Sequence, residues 1–249
     1  GQWIKGPAAG ASRFDILDPA TGLKLADVAN LGPAEAEFAI AAANEAWPAW
    51  RSKTAKERSI ILRKWFDLLI ANQDDLGRIM TAEQGKPLAE AKAEIIYGAN
   101  FVELFAEQAK RVFGETIPTH KADARVVILK QPVGVVAAIT PWNFPLAMPH
   151  WMVMPSLVAG NTVVLKPSEQ TPLIAQAYAD VLNQFLPEGV LQVVHGADDQ
   201  GKALVAADVD LIAFTGSKDV GQKIMQAAAG GLKRLILELG SKDPLIVLE

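Results

Sequence analysis

The sequence has no cysteine. That excludes disulfides, thiolate metal sites and any thiol nucleophile within these 249 residues. Histidine is scarce, and His120, His150 and His195 show no metal-ligand spacing; His120 and His195 read as loop residues. Basic residues are outnumbered, 24 to 28, giving a net charge of -4. With no basic run to offset that balance, no nucleic-acid partner is expected. No apolar run reaches the length of a membrane span, because Pro, His or Gly breaks each one, so no membrane partner is expected. No secretory pattern opens the chain, and a cytoplasmic protein is expected. There is no internal repeat and no low-complexity segment. The chain opens on Gly1 rather than Met and closes at Glu249 on a strand-like run, so both ends read as cut.

Half of the residues are hydrophobic and 21% are charged, an ordinary globular balance over a length that suits one large domain or two small ones. Residues 1–30 carry the turn signals Asp18-Pro19 and Thr21-Gly22 between short apolar alternations, which predicts a hairpin-like arm. Pro33 opens an alanine-rich helix over 34–47. Thr54-Ala55-Lys56-Glu57 has capping-box spacing, and the helix it starts puts Ile61, Trp65, Leu68 and Leu69 on one face. A third helix stops at Gly85-Lys86-Pro87 and a fourth runs over 88–111. Nothing in this helical layer points to chemistry.

From Arg125 the period changes to alternating strands and helices. Strands are expected at 125–129, 133–139, 162–165, 190–194, 211–214, 235–237 and 245–248. Helices are expected at 146–159, 171–185, 198–206 and 217–229, with Thr171-Pro172 capping the second of these. Near-continuous apolar strands separated by helices predict an α/β fold with a parallel sheet covered on both faces. The expected domains are 1–124, an arm and helical layer, and 125–249, the sheet.

Four stretches can carry chemistry. Ile139-Thr140-Pro141-Trp142-Asn143-Phe144-Pro145 follows a strand, and its two prolines fix a polar amide and a flat ring at the strand's end, where ligands bind in open α/β sheets. The plainer reading is a turn with a buried structural Asn. Lys166-Pro167-Ser168-Glu169 also ends a strand; Lys166 and Glu169 can grip vicinal ribose hydroxyls or form a solvated charge pair. Phe214-Thr215-Gly216-Ser217 opens a helix whose free amides suit a phosphate, or Ser217 is an ordinary N-cap. Glu238 stands in the apolar run Leu235-Ile236-Leu237-Glu238-Leu239-Gly240. Burial there would favour a general base, whereas strand alternation would turn it outward.

In this order, the motifs resemble the aldehyde dehydrogenase superfamily over essentially the whole chain. The resemblance rests on residues 141–145, on Ala159-Gly160-Asn161-Thr162-Val163-Val164-Leu165-Lys166-Pro167-Ser168-Glu169, on 214–217 and on 237–240. The run Met80-Thr81-Ala82-Glu83-Gln84-Gly85-Lys86-Pro87-Leu88-Ala89-Glu90-Ala91 looks most like the succinate-semialdehyde branch. The resemblance implies a Rossmann-like fold, an aldehyde substrate and a homo-oligomer, with residues 125–131 in the dimerising arm. It implies that a cysteine thiolate attacks the aldehyde while the Asn143 amide holds the oxyanion. Hydride then passes to NAD(P), and Glu238 activates the water that releases the acid. It assigns Ile139, Thr140 and Trp142 to the cofactor cleft, Lys166, Ser168 and Glu169 to the adenosine ribose side, and Gly216 and Ser217 to the pyrophosphate. A carboxylate at Glu169 would repel a 2′-phosphate, so NAD is expected over NADP.

Three departures bear on this. The nucleophilic cysteine is expected beyond Glu249, so this chain would hold the cofactor half, lack the catalytic domain and oxidise nothing alone. Ser241 stands where a second glycine usually follows the general base. Succinate-semialdehyde members carry an Arg that pairs the substrate carboxylate, and counting from Asn143 that position is Trp151, which cannot replace a bidentate cation. With Phe144 and Met148, Trp151 would make an apolar tunnel suited to less polar aldehydes. The rival expectation is a non-catalytic dinucleotide-binding or structural module.

Overall fold

A computed structural model describes residues 12–247. Its centre is a five-stranded parallel sheet in the order β7-β6-β5-β8-β9. The strands are β5 (Val135–Ile139), β6 (Thr162–Lys166), β7 (Leu191–Val193), β8 (Leu211–Gly216) and β9 (Arg234–Leu239). Every residue of β5 and β6 is buried, which is why both read as unbroken apolar runs. The chain steps outward from β5 to β6 to β7, then crosses back to β8 on the other side of β5. That reversal opens a crevice beyond the carboxyl ends of the strands. Register brings Ile139 beside Lys166 and Phe214, and Thr215 beside Glu238.

Alternate residues of β5 feed two cores. Val136 and Ala138 pack with the helical layer, α2 (Ala55–Ala71), α3 (Gln73–Gln84) and α4 (Leu88–Gln108), and with α5 (Ala147–Val158) and α6 (Pro172–Leu182). Trp65, Met80, Ile95 and Tyr178 are buried there. Val135, Ala137 and Ile139 face α1 (Pro33–Ser52), α7 (Asp198–Ala206) and α8 (Lys218–Ala229). The first core therefore joins residues before and after Arg125.

Local signals set the helix ends. The capping box forms: Glu57 N donates to Thr54 Oγ1 at 3.3 Å and Thr54 N to Glu57 Oε2 at 2.7 Å. Gly85, at φ 83°, stops α3 in the left-handed region, and a Cβ there would meet Pro19 Cγ at 2.9 Å. The arm forms from β1 (Arg13–Leu17) paired antiparallel with β2 (Lys24–Ala29); residues 1–11 of that expectation lie outside the described residues.

Two expectations need correction, and the strand expected at 125–129 has an unforeseen partner. The strand near 125–129 is β4 (Val126–Ile128), and its partner β3 (Glu115–Ile117) has no apolar pattern of its own to announce it; the two make a separate exposed hairpin. Residues 245–247 form no strand and are exposed, because the sheet ends at β9 and no neighbour supplies a ladder; Leu248 lies outside the described residues. Thr171 is the N-cap of α6 but its hydroxyl makes no bond; Glu83 of α3 caps the helix instead, accepting from Leu173 N at 2.6 Å and Ile174 N at 2.9 Å.

Candidate active site

Beyond Ile139 the chain leaves the sheet through loop 140–146. Thr140 N donates to Lys166 O at 3.1 Å, so the ladder carries one residue past the strand. Thr140 is buried and its hydroxyl has no partner. Trp142, Asn143 and Phe144 are exposed, which corrects the expectation of a buried Asn143. Pro145 and Leu146 are buried behind them, so the crest of the loop, with Asn143, stands at the surface.

The backbone of that crest is held from the helical layer. Gln84 Nε2 donates to Trp142 O at 3.1 Å and to Asn143 O at 2.8 Å. Lys86 Nζ donates to Asn143 O at 3.1 Å and pairs with Glu94. Glu94 Oε1 accepts from Leu146 N at 3.0 Å and Ala147 N at 3.1 Å, capping α5 from another helix. The helical layer thus touches the site, against the expectation that it had no bearing on chemistry. One signal was there to find: the buried face of α4 runs Ala91, Glu94, Ile95, Gly98, Ala99 and Val102, and a carboxylate on that stripe needs a partner.

Past the loop, α5 divides its side chains. His150 turns inward, stacked on Trp65 with centroids 5.5 Å apart, and its Nε2 accepts from Trp65 Nε1 at 2.8 Å. Burial lowers its pKa from 6.5 to about 4. Trp151 turns outward, 46% exposed, and stacks on Phe101 at 4.8 Å; Phe101 meets Tyr97 edge-on at 4.8 Å. The Phe144 ring lies 4.5 Å from Lys86 Nζ, and Met148 is half-buried. Trp151 thus joins Phe101 and Tyr97 of α4 in one aromatic strip, while Phe144 stands on the preceding loop and Met148 in the first turn of α5.

At the end of β6 the charge pair is asymmetric. Lys166 and Glu169 stand 3.7 Å apart, with side chains 6% and 45% exposed, so the pair is not solvated as a whole. The stem of Lys166 runs beneath Gly201 of α7, whose missing Cβ would lie 3.7 Å from Lys166 Cδ. Burial pulls the Lys166 ammonium below its ordinary pKa, and Glu169 and Asp198 push back. Lys166 Nζ donates to Pro167 O at 3.0 Å. Ser168 is buried and accepts from Gln170 N at 3.2 Å. His195 sits nearby, its Nε2 2.8 Å from Gln176 Oε1, its pKa lowered to about 4 by burial and then by Lys166. On β8, Gly216 leads into Ser217, the N-cap of α8, which accepts from Val220 N at 3.3 Å. Gly221 lets α8 close on β9, since a Cβ there would strike Leu239 Cδ2 at 2.6 Å.

Residues 3–249 match the aldehyde dehydrogenase family. The chain belongs to that family. It is 50% identical over its whole length to the glutarate-semialdehyde dehydrogenase of Pseudomonas putida and to the NADP(+) succinate-semialdehyde dehydrogenase of Escherichia coli. It covers 52% of each, so the chain spans about half the length of these relatives. The crystal structure of succinate-semialdehyde dehydrogenase from Burkholderia pseudomallei superposes with a TM-score of 0.96 at 50% identity, over 100% of this chain and 52% of that one. The likeness to the succinate-semialdehyde branch and the Rossmann-like α/β fold are thus both found.

Within this aldehyde dehydrogenase chain the four motifs lie at the carboxyl ends of β5, β6, β8 and β9, and Glu238 departs from its expected burial. Glu238 is exposed on the edge strand β9, where Leu235, Leu237 and Leu239 turn inward. Strand alternation decides this, and the burial expected from the apolar run is absent because no described element covers that face of β9. Ser241 is exposed and donates to Asp243 Oδ1 at 2.8 Å.

Proposed function

We propose that this chain is the cofactor-binding half of an NAD-dependent aldehyde dehydrogenase that oxidises an aldehyde to a carboxylic acid, with the nucleophilic cysteine in polypeptide beyond Glu249. One observation carries the proposal: Asn143 is presented at the crevice on an anchored loop, one strand from the half-buried Lys166–Glu169 pair. The side-chain amide of Asn143 donates to the aldehyde oxygen as negative charge develops on it. Glu238 takes a proton from the water that releases the acid, and the missing domain would cover it.

The residues present suit a dinucleotide. The Lys166 stem lies under Gly201, and its ammonium, bonded to Pro167 O and facing Glu169, keeps a further donor for one ribose hydroxyl while Glu169 accepts from the other. Ser168 lies between them, and Ile139, the unpartnered Thr140 hydroxyl and Trp142 line the path to loop 140–146. Gly216 and Ser217 offer helix-start amides to the pyrophosphate. When bound, NAD accepts the hydride. Glu169 favours NAD over NADP, because a 2′-phosphate would meet a carboxylate. The Escherichia coli relative carries NADP(+) in its name, so this choice separates two real alternatives.

The aromatic strip favours an apolar or aromatic aldehyde over a carboxylated one, since Trp151, Phe101 and Tyr97 carry no charge and the nearby Lys86 already pairs with Glu94. The exposed β3–β4 hairpin supplies an arm for a homo-oligomer.

Calorimetric titration of NAD tests the cofactor assignment. NAD should bind this chain, Lys166→Ala should weaken it by about 10- to 100-fold, the loss of one charge-assisted hydrogen bond, and NADP should bind more weakly than NAD. An NADP preference would reverse the cofactor choice, and unchanged affinity in Lys166→Ala would remove Lys166 from the site.

A further inference from the structure

Loop 141–145 has little to hold it by itself. Among the described residues, no helix, strand or other backbone–backbone hydrogen bond fixes Trp142 or Asn143. The loop's only such bond runs from Met148 N to Phe144 O. Yet the proposed chemistry needs the Asn143 amide aimed within a few tenths of an ångström. What aims it comes from 52 to 59 residues away in sequence, from the end of α3, the turn after it and the second turn of α4.

Three side chains act on successive points of the loop. Gln84 spans the carbonyls of Trp142 and Asn143. Lys86 adds a second donor to the Asn143 carbonyl, so that this peptide plane is fixed by two side chains, and its ammonium covers the Phe144 ring at 4.5 Å. Glu94 holds the far end by accepting from Leu146 N and Ala147 N. Lys86 and Glu94 are themselves tied, with side chains only 13% and 2% exposed, so the middle and end of the loop are fixed to one buried ion pair. Gly85 lets the turn bring Gln84 and Lys86 to the same carbonyl, because its φ of 83° reverses the chain between them.

We infer that Lys86, with Gln84 and Glu94, is a positioning residue for the oxyanion-binding amide of Asn143: it sets the orientation of the Asn143–Phe144 peptide and touches neither substrate nor cofactor. This rests on the role proposed above for Asn143. Lys86 reaches the Asn143 carbonyl and contacts neither Trp142 nor the Lys166–Glu169 pair of β6, so its effect belongs to turnover and not to cofactor affinity.

The test is a double-mutant cycle in the full-length enzyme. Asn143→Ala should lower kcat on the order of 10²- to 10³-fold, as loss of an oxyanion donor does. Lys86→Met should lower kcat about 10- to 100-fold with the KM for NAD unchanged. The combined variant should be no slower than Asn143→Ala alone, because a positioning residue has nothing left to position. Multiplicative losses in the double variant, or a KM for NAD that rises with the loss in kcat, would overturn the inference while leaving Asn143 in its role. An Asn143→Ala enzyme with full activity would overturn both. Should Lys86→Met melt early, Gln84→Ala replaces it in the cycle with kcat as the readout, since it removes two neutral hydrogen bonds and leaves the ion pair whole; its losses in kcat should also vanish against Asn143→Ala, and multiplicative losses would overturn the inference.

Discussion

Glu83 and Glu94 are both 4% exposed, and each accepts two backbone N–H bonds from the start of a helix it does not belong to. Glu94 is compensated by Lys86, whereas Glu83 is answered by N–H donors alone. Burial raises the pKa of Glu83 from 4.5 to about 7, outweighing the bonds from Ile174 and Leu173 that favour the charged form. The sign for stability follows. Between about 4.5 and 7 the folded chain keeps a proton that the unfolded chain has lost, so this group's contribution is full below 4.5 and is lost as pH rises through 7. The loss is on the order of 3 kcal/mol. His150 and His195, with lowered values, work in the opposite direction: their contribution is present above 6.5 and lost as pH falls through about 4. Comparing the native chain with Glu83→Gln cancels the histidines. In urea unfolding at pH 5 and pH 8, Glu83→Gln should gain stability relative to the native chain at pH 8. An equal difference at both pH values would mean that Glu83 does not titrate in this window.

At the scale of elements, α4 and α5 share the work between two faces. The inner face of α5 puts His150 against Trp65 and Tyr178, and the outer face puts Trp151 on Phe101. The alternation follows from adjacent positions on a helix lying 100° apart, so neighbours in sequence serve core and strip separately. Stacking on Phe101 fixes the Trp151 ring while leaving one side open to a substrate. Full-length enzyme should therefore prefer hexanal to succinate semialdehyde in kcat/KM. Trp151→Arg should shift that ratio toward succinate semialdehyde by tenfold or more, the value of one charge-assisted pair. A ratio unmoved by Trp151→Arg would take the strip out of the substrate path.

Over the whole molecule, the apolar surface is distributed unevenly. Leu232, Ile236, Leu245, Ile246 and Val247 are exposed at and beyond the β9 edge, and Val127 and Leu129 on and beside the β3–β4 hairpin. An open strand edge beside apolar side chains is a template for association. The 249-residue chain should self-associate in sedimentation velocity, with a weight-average mass that rises with concentration. A monodisperse monomer across the micromolar range would count against both the uncovered face and the oligomer arm.

The sequence by itself determined whatever depends on neighbours within a few residues: the Thr54–Glu57 capping box, the stop at Gly85, the two prolines that shape loop 141–145, and the fully buried strands β5 and β6. Those features are legible because a local bond or a fixed φ leaves its mark at fixed spacing. The family motifs were legible for the same reason, each being a short run at a strand's end. Only the tertiary structure decided which groups complete the site. Gln84, Lys86 and Glu94 lie 52 to 59 residues from the backbone groups they hold, and no spacing rule links them to Asn143. Nor could an apolar run tell which side of β9 would be covered: Glu238 is exposed because a strand turns alternate residues outward, and what lies over an edge strand is set by the rest of the fold.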